Sequence, residues 1–117
     1  MGKSVPQAER VKLVWENQHP GSSFVAQDIP LDLTAYKAVI IVYRNIDSTY
    51  GTRTAFFFID AVNREIPMLY SEATQQTFIR PTRIEPTMAH FGGGQSIDQH
   101  SENNAALVPQ KIYGVKF

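Results

Sequence analysis

Apolar and polar positions alternate along most of this chain with a period of two. In VKLVWEN (11–17), Val11, Leu13 and Trp15 take one parity and Lys12, Val14 and Glu16 the other, the pattern of a half-buried strand. QHPGSS (18–23) is a turn cluster, and FVAQDIPLDL (24–33) resumes extended chain. Pro30 denies a ladder donor and biases Ile29 toward β geometry, which marks an edge strand or a step between strands. The strongest strand is KAVIIVYRNI (37–46), where Val39, Ile40, Ile41 and Val42 run uninterrupted. Such a run predicts burial on both faces at the centre of a sandwich. After the turn DSTYGT (47–52), RTAFFFIDAV (53–62) puts Phe56 and Phe58 on one face and Phe57 and Ile59 on the other. Asn63-Arg64 reads as a tight turn into EIPMLYS (65–71), so 53–62 and 65–71 form a predicted β-hairpin.

TFIRPTRIEPTMAHF (77–91) is extended, because Pro81 and Pro86 forbid a continuous helix. Phe78, Arg80, Thr82 and Ile84 share one parity, and Ile79, Arg83 and Glu85 the other. GGGQSIDQHSENN (92–104) reads as a long loop, and AALVPQKIYGVKF (105–117) closes the chain. The final KIYGVKF is either an inner strand or a donated edge that docks elsewhere. Its alternation favours the inner strand, with Gly114 marking a bulge or a close backbone approach. No helical apolar period persists, and turn signals recur every ~8–12 residues, the spacing of an all-β sandwich or barrel. The expected fold is all-β: an antiparallel β-sandwich, jelly-roll-like in its most regular form, with 37–46 and 112–117 as inner strands. Residues 1–10 are predicted to be a flexible arm and 11–117 a single domain.

A chain of 117 residues matches one domain and is long enough to bury a core without staples. The absence of cysteine excludes disulfides, thiolate metal sites and cysteine nucleophiles. Eleven basic and eleven acidic residues give a net charge of zero with no basic run, so the electrostatic footprint of a nucleic-acid binder is missing. Near-neutrality also offers little repulsion between copies, which suits a protein of an assembly. The N-terminus carries no apolar leader core. The longest apolar run, AVIIVY (38–43), falls far short of the ~20 residues that span a bilayer. The expectation is a soluble protein made in a cytoplasm, with no membrane partner.

Candidate chemistry is sparse. His19, His90 and His100 have no HxH or HxxxH spacing, so a metal site would need the fold to bring them together, and solvated loop histidines are the expectation. Asp28 and Asp32 flank Pro30 about 13 Å apart along a strand, too far for shared acid–base work. HFGGGQS (90–96) lacks the lysine and following helix of a phosphate loop and reads as a surface loop able to make contacts. No serine sits in a GxSxG elbow. No enzyme activity and no cofactor are expected. Of Trp15, Tyr36, Tyr43, Tyr50, Tyr70 and Tyr113, the turn residue Tyr50 is the best candidate to stack on a sugar.

Three stretches carry a resemblance. VKLVWENQHPGSSFVAQDIPLDLTAYKAVIIVYR is similar to a small domain of bacteriophage and prophage structural proteins, above all of tails, fibres and baseplates. The matching positions are Leu13, Trp15, Pro20, Ser22, Phe24, Leu31, Asp32, Leu33, Tyr36 and Ile40–Val42. The ending resembles that group's P-x-K-I-Y-G-[IV] in Pro109, Lys111, Ile112, Tyr113, Gly114 and Val115. TFIRPTRIEPTMAHFGGG fits an Arg-containing strand before an aromatic-glycine turn. The resemblance implies a virion structural protein that contacts other virion proteins as a homo-oligomer, with a trimer first. Its alternatives are a capsid decoration or head-fibre protein and a module binding host surface glycans. The expected partner contacts are Val5 and Pro6 in the arm, Tyr50 in the 47–52 turn, and Phe91, Gly93 and His100 around the 92–104 loop.

Overall fold

The computed structural model describes residues 10–46, 51–59, 66–71, 77–97 and 101–117. Among the described residues ten strands follow in order: β1 (Val11–Glu16), β2 (Gln27–Pro30), β3 (Ala38–Arg44), β4 (Arg53–Phe58), β5 (Ile66–Ser71), β6 (Thr77–Glu85), β7 (Met88–Phe91), β8 (Gln95–Ser96), β9 (Ser101–Glu102) and β10 (Val108–Val115). They form two antiparallel sheets, β1-β10-β3-β4 and β2-β7-β6-β8-β9, with β5 also on β6. The expected all-β sandwich is the observed fold. The first strand pairs the last and β2 pairs β7, a nesting of chain ends found in jelly rolls. β3–β4 and β5–β6 then pair as sequence neighbours.

The core lies between the sheets. Val39, Ile41 and Tyr43 of β3, Phe57 of β4 and Ile112 of β10 meet Phe78 and Ile84 of β6, Ala89 and Phe91 of β7 and Ile29 of β2. Alternation delivers these contacts, since every second residue of each strand faces the opposite sheet. The same alternation runs through Val39–Val42. Val39 and Ile41 are buried while Ile40 and Val42 are half-buried, so the uninterrupted run has one core face rather than two.

β10 is hydrogen-bonded on both sides, to β1 and to β3. KIYGVKF is therefore an inner strand and not a donated edge. Gly114 marks a close approach: a Cβ there would lie 2.6 Å from the Tyr36 ring. The bulge in β10 falls instead between Pro109 and Lys111. Pro109 is buried, and its carbonyl accepts the Asn17 side-chain amide at 2.8 Å.

The predicted hairpin between 53–62 and 65–71 is not formed. β4 pairs β3, whereas β5 pairs β6 in the other sheet, so the chain crosses between layers there. Asn-Arg lacks the glycine that a two-residue hairpin turn favours, and two alternating segments can equally face each other across a core. The segment 77–91 is itself a hairpin, β6–β7, turning between Glu85 and Met88.

The glycine-rich stretch is also more than a surface loop. It passes from β7 to β8 along one edge of β6 with the register shifted by one, Thr82↔Phe91 but Phe78↔Ser96. Gly94 is buried, and a Cβ on it would sit 2.1 Å from the Asn103 carbonyl oxygen and 2.9 Å from Arg80 Nη2. Only a residue without a side chain lets the strand pass this close.

Candidate interaction surface

Three places concentrate polar chemistry or exposed apolar surface. The first is Arg80. Its parity with Phe78, Thr82 and Ile84 carries it into the core, where it is fully buried. Nε donates to the Leu107 carbonyl at 3.0 Å. Nη1 donates to Phe24 and Gly92 at 2.8 Å each, and Nη2 donates to Ala106 at 2.8 Å and Asn104 at 3.3 Å. All five guanidinium donors thus end on main-chain oxygens, and the cation lies 5.3 Å from the Phe24 ring centre. Among the described residues no carboxylate forms an ion pair with it. Burial pushes its pKa down to about 10. With every donor used and no opening to solvent, Arg80 organises structure: it ties β6 to residues 24, 92 and 104–107.

The second place is His90, on the solvent face of β7. Nδ1 lies 2.8 Å from Asp28 Oδ1 on β2 and Nε2 lies 3.0 Å from Glu85 Oε2 on β6. The registers Asp28↔His90 and Arg83↔His90 place Asp28, His90 and Arg83 in one row, with Glu85 two residues further along β6 on the same face. The Glu85 hydrogen bond, followed by Asp28, raises the His90 pKa against burial and the nearby Arg83 charge. Both ring nitrogens are occupied by carboxylates, so the imidazolium is the form this site prefers, and it has no nitrogen left for a metal. No group of three or more His, Asp or Glu able to hold a metal occurs among the described residues. His19 sits in a turn, its N–H donating to Asn17 Oδ1, well separated in sequence and element from His90. Asp32 accepts the Thr34 hydroxyl and N–H; those bonds lower its pKa and shape the turn into β3.

The third place is the outer face of the β1-β10-β3-β4 sheet. Register aligns Leu13, Tyr113, Ile40 and Phe56 in one row, and Val11, Val115, Ala38 and Phe58 in the next. Phe56 and Phe58 are 48% and 63% exposed, and the Phe117 ring beside Phe58 is 68% exposed. Phe56 and Phe58 meet edge to face at 5.1 Å. These are large rings clustered on one edge of one sheet, unlike the isolated apolar residues that any surface carries. Behind them, Arg10, Lys37 and Lys116 rim an open groove floored by Val11, Ala35, Val115 and Phe117.

Of the sequence-predicted contact residues, only Phe91 and Gly93 are among the described residues, and neither belongs to this sheet. Phe91 is buried, its ring edge-on to Phe24, so it faces the core and is withdrawn from outward contact. Gly93 is half-buried beside Asn104 and Glu102. Val5, Pro6, Tyr50 and His100 lie outside the described residues. What sequence reasoning missed is the exposed pair Phe56 and Phe58. Their shared parity was visible, but not which parity would face water. No protein-family model matches the chain, and comparison with curated proteins and with solved structures finds no match.

Proposed function

We propose that this chain is a structural protein of a bacteriophage particle that works by protein–protein contact, in the tail, fibre or baseplate. The observation that carries the contact role is the exposed aromatic cluster Phe56–Phe58–Phe117 on one sheet face. The phage assignment rests on the sequence resemblance of Leu13–Val42 and Pro109–Val115. A rigid sandwich with a solvent-exposed aromatic face is what a building block needs: the scaffold fixes the rings, and burying them drives docking. The polar sites fit this reading, because Arg80 and the His90 row hold strands together with their own bonding groups consumed.

The test is incorporation. Phe56→Ser with Phe58→Ser leaves the core untouched, so the variant folds but is lost from purified particles. Mass spectrometry of particles carrying the wild-type chain, and labelling under the microscope, locate it. Wild-type protein absent from every particle fraction sinks the reading, and a label on the head shell moves it to a capsid decoration.

A further inference from the structure

The aromatic cluster sits on a strand edge that is open among the described residues. β4 ends its sheet, with β3 on one side only. Ile59 N–H donates to the Lys37 carbonyl at 2.9 Å, so the side of the ladder facing β3 carries the main-chain groups of Arg53, Ala55 and Phe57. By alternation, the N–H and C=O of Thr54, Phe56 and Phe58 point away from the sheet. Exposed edges are normally blunted by lysine, proline or a bulge. RTAFFF has none of these after Arg53, its pairing with β3 runs in unbroken register, and its residues have high strand propensity.

We infer that β4 pairs antiparallel with β4 of a second copy of this chain about a two-fold axis through Phe56, joining the two four-stranded sheets into one. The inference rests on the assembly reading above and names the partner of the same face. The strand is self-complementary in this register. Phe56 lies opposite its own copy and Thr54 opposite Phe58, so the outward-pointing groups of all three residues meet, forming about six main-chain hydrogen bonds. Arg53 falls opposite Ile59, and the two Arg53 charges stand about 20 Å apart along the strands. A parallel pairing would set Arg53 beside Arg53. The neutral net charge of the chain adds no repulsion between copies.

Pairing the edges sets Phe56 against its own copy and Phe58 against Thr54 on the same outer face, so the ring flanks that face the neighbouring strand are covered together with the strand edges. A strand edge meets its own copy antiparallel about a two-fold axis, so this contact makes a dimer where the resemblance implied a trimer.

Sedimentation velocity on the full chain, over a concentration series into the millimolar range, tests this. The expected species has twice the chain mass. Thr54→Pro removes an N–H that points away from β3, and Phe56→Lys places a like charge on the axis; both variants are expected to sediment as monomers. Phe56→Lys alters only a surface residue, so it decides the matter if Thr54→Pro fails to fold. A wild-type monomer throughout the series, or a dimer that persists in Phe56→Lys, overturns the inference. A monomer that still enters particles overturns the strand pairing alone, and a dimer absent from particles overturns the assembly reading alone.

Discussion

Arg80 Nε donates to the Leu107 carbonyl at 3.0 Å, and Leu107 is held in the left-handed region at φ 51°. A leucine there costs about 1–2 kcal/mol. The conformation persists because both of its main-chain groups are clamped: Asn45 Oδ1 accepts the Leu107 N–H at 2.8 Å while Arg80 holds the oxygen. The side chain is fully buried at the same time. A residue 27 positions away in sequence therefore maintains the backbone just before β10.

Arg80→Lys is expected to destabilise the fold by about 3 kcal/mol or more. Lysine has three donors and no planar fork, so at least two buried carbonyls lose their partners, at about 1–3 kcal/mol each. Chemical denaturation checks this. Arg80→Met is expected to be worse still, since it leaves all five oxygens without the guanidinium. Wild-type stability in either variant would remove Arg80 from its organising role.

Gly114→Ala is expected to cost stability through contact with Tyr36, whose ring occupies the space a Cβ would take. Overpacking of this kind typically costs about 1–3 kcal/mol. In a Tyr36→Ala background the added cost of Gly114→Ala should shrink toward zero, because the obstructing ring is gone. Gly21→Ala serves as the control, as nothing lies within 4 Å of its Cβ position. Melting temperatures of the four variants complete the cycle.

Stability should fall as pH rises through the folded-state His90 pKa. That value is raised, chiefly by Glu85 and then by Asp28, so the contribution is present in full below the ordinary imidazole value of about 6.5 and is lost above the folded value. A neutral imidazole donates through one nitrogen only, and one of the two carboxylates then faces an acceptor. In His90→Gln the decline over this range disappears. Thermal unfolding of both proteins from about pH 5.5 to 9 reads the difference directly.

Removing Tyr113–Phe117 is expected to abolish folding. Tyr113, Gly114 and Val115 pair with β1 on one side and β3 on the other, so their loss opens both neighbours. Removing Phe117 alone keeps the fold, since its ring is exposed. Far-ultraviolet circular dichroism separates the two outcomes.

Period and punctuation made the strands legible. Val11–Glu16, Ala38–Arg44 and Val108–Val115 all carry alternation bounded by turn residues, and the inner placement of the last strand followed from that alternation. The parity of Phe78, Arg80, Thr82 and Ile84 was equally plain. That an arginine on that parity goes inside was not, because its burial depends on five carbonyl oxygens supplied by residues 24, 92, 104, 106 and 107. Those oxygens converge only when both sheets and the 92–107 stretch are in place.

The amino-acid order by itself determined the longer strands, the two-layer architecture and the absence of cysteine chemistry, because these depend on local periodicity and residue type. The tertiary structure alone decided which strands neighbour each other and which parity of β4 meets the core. It sent 53–58 to β3 and 66–71 to β6 rather than to each other. It turned Phe57 inward and left Phe56 and Phe58 in water on an edge that is open among the described residues. Both parities of that strand are apolar, so local pattern cannot choose between them. Burial against the opposite sheet makes the choice, and it is a property of the whole packed chain.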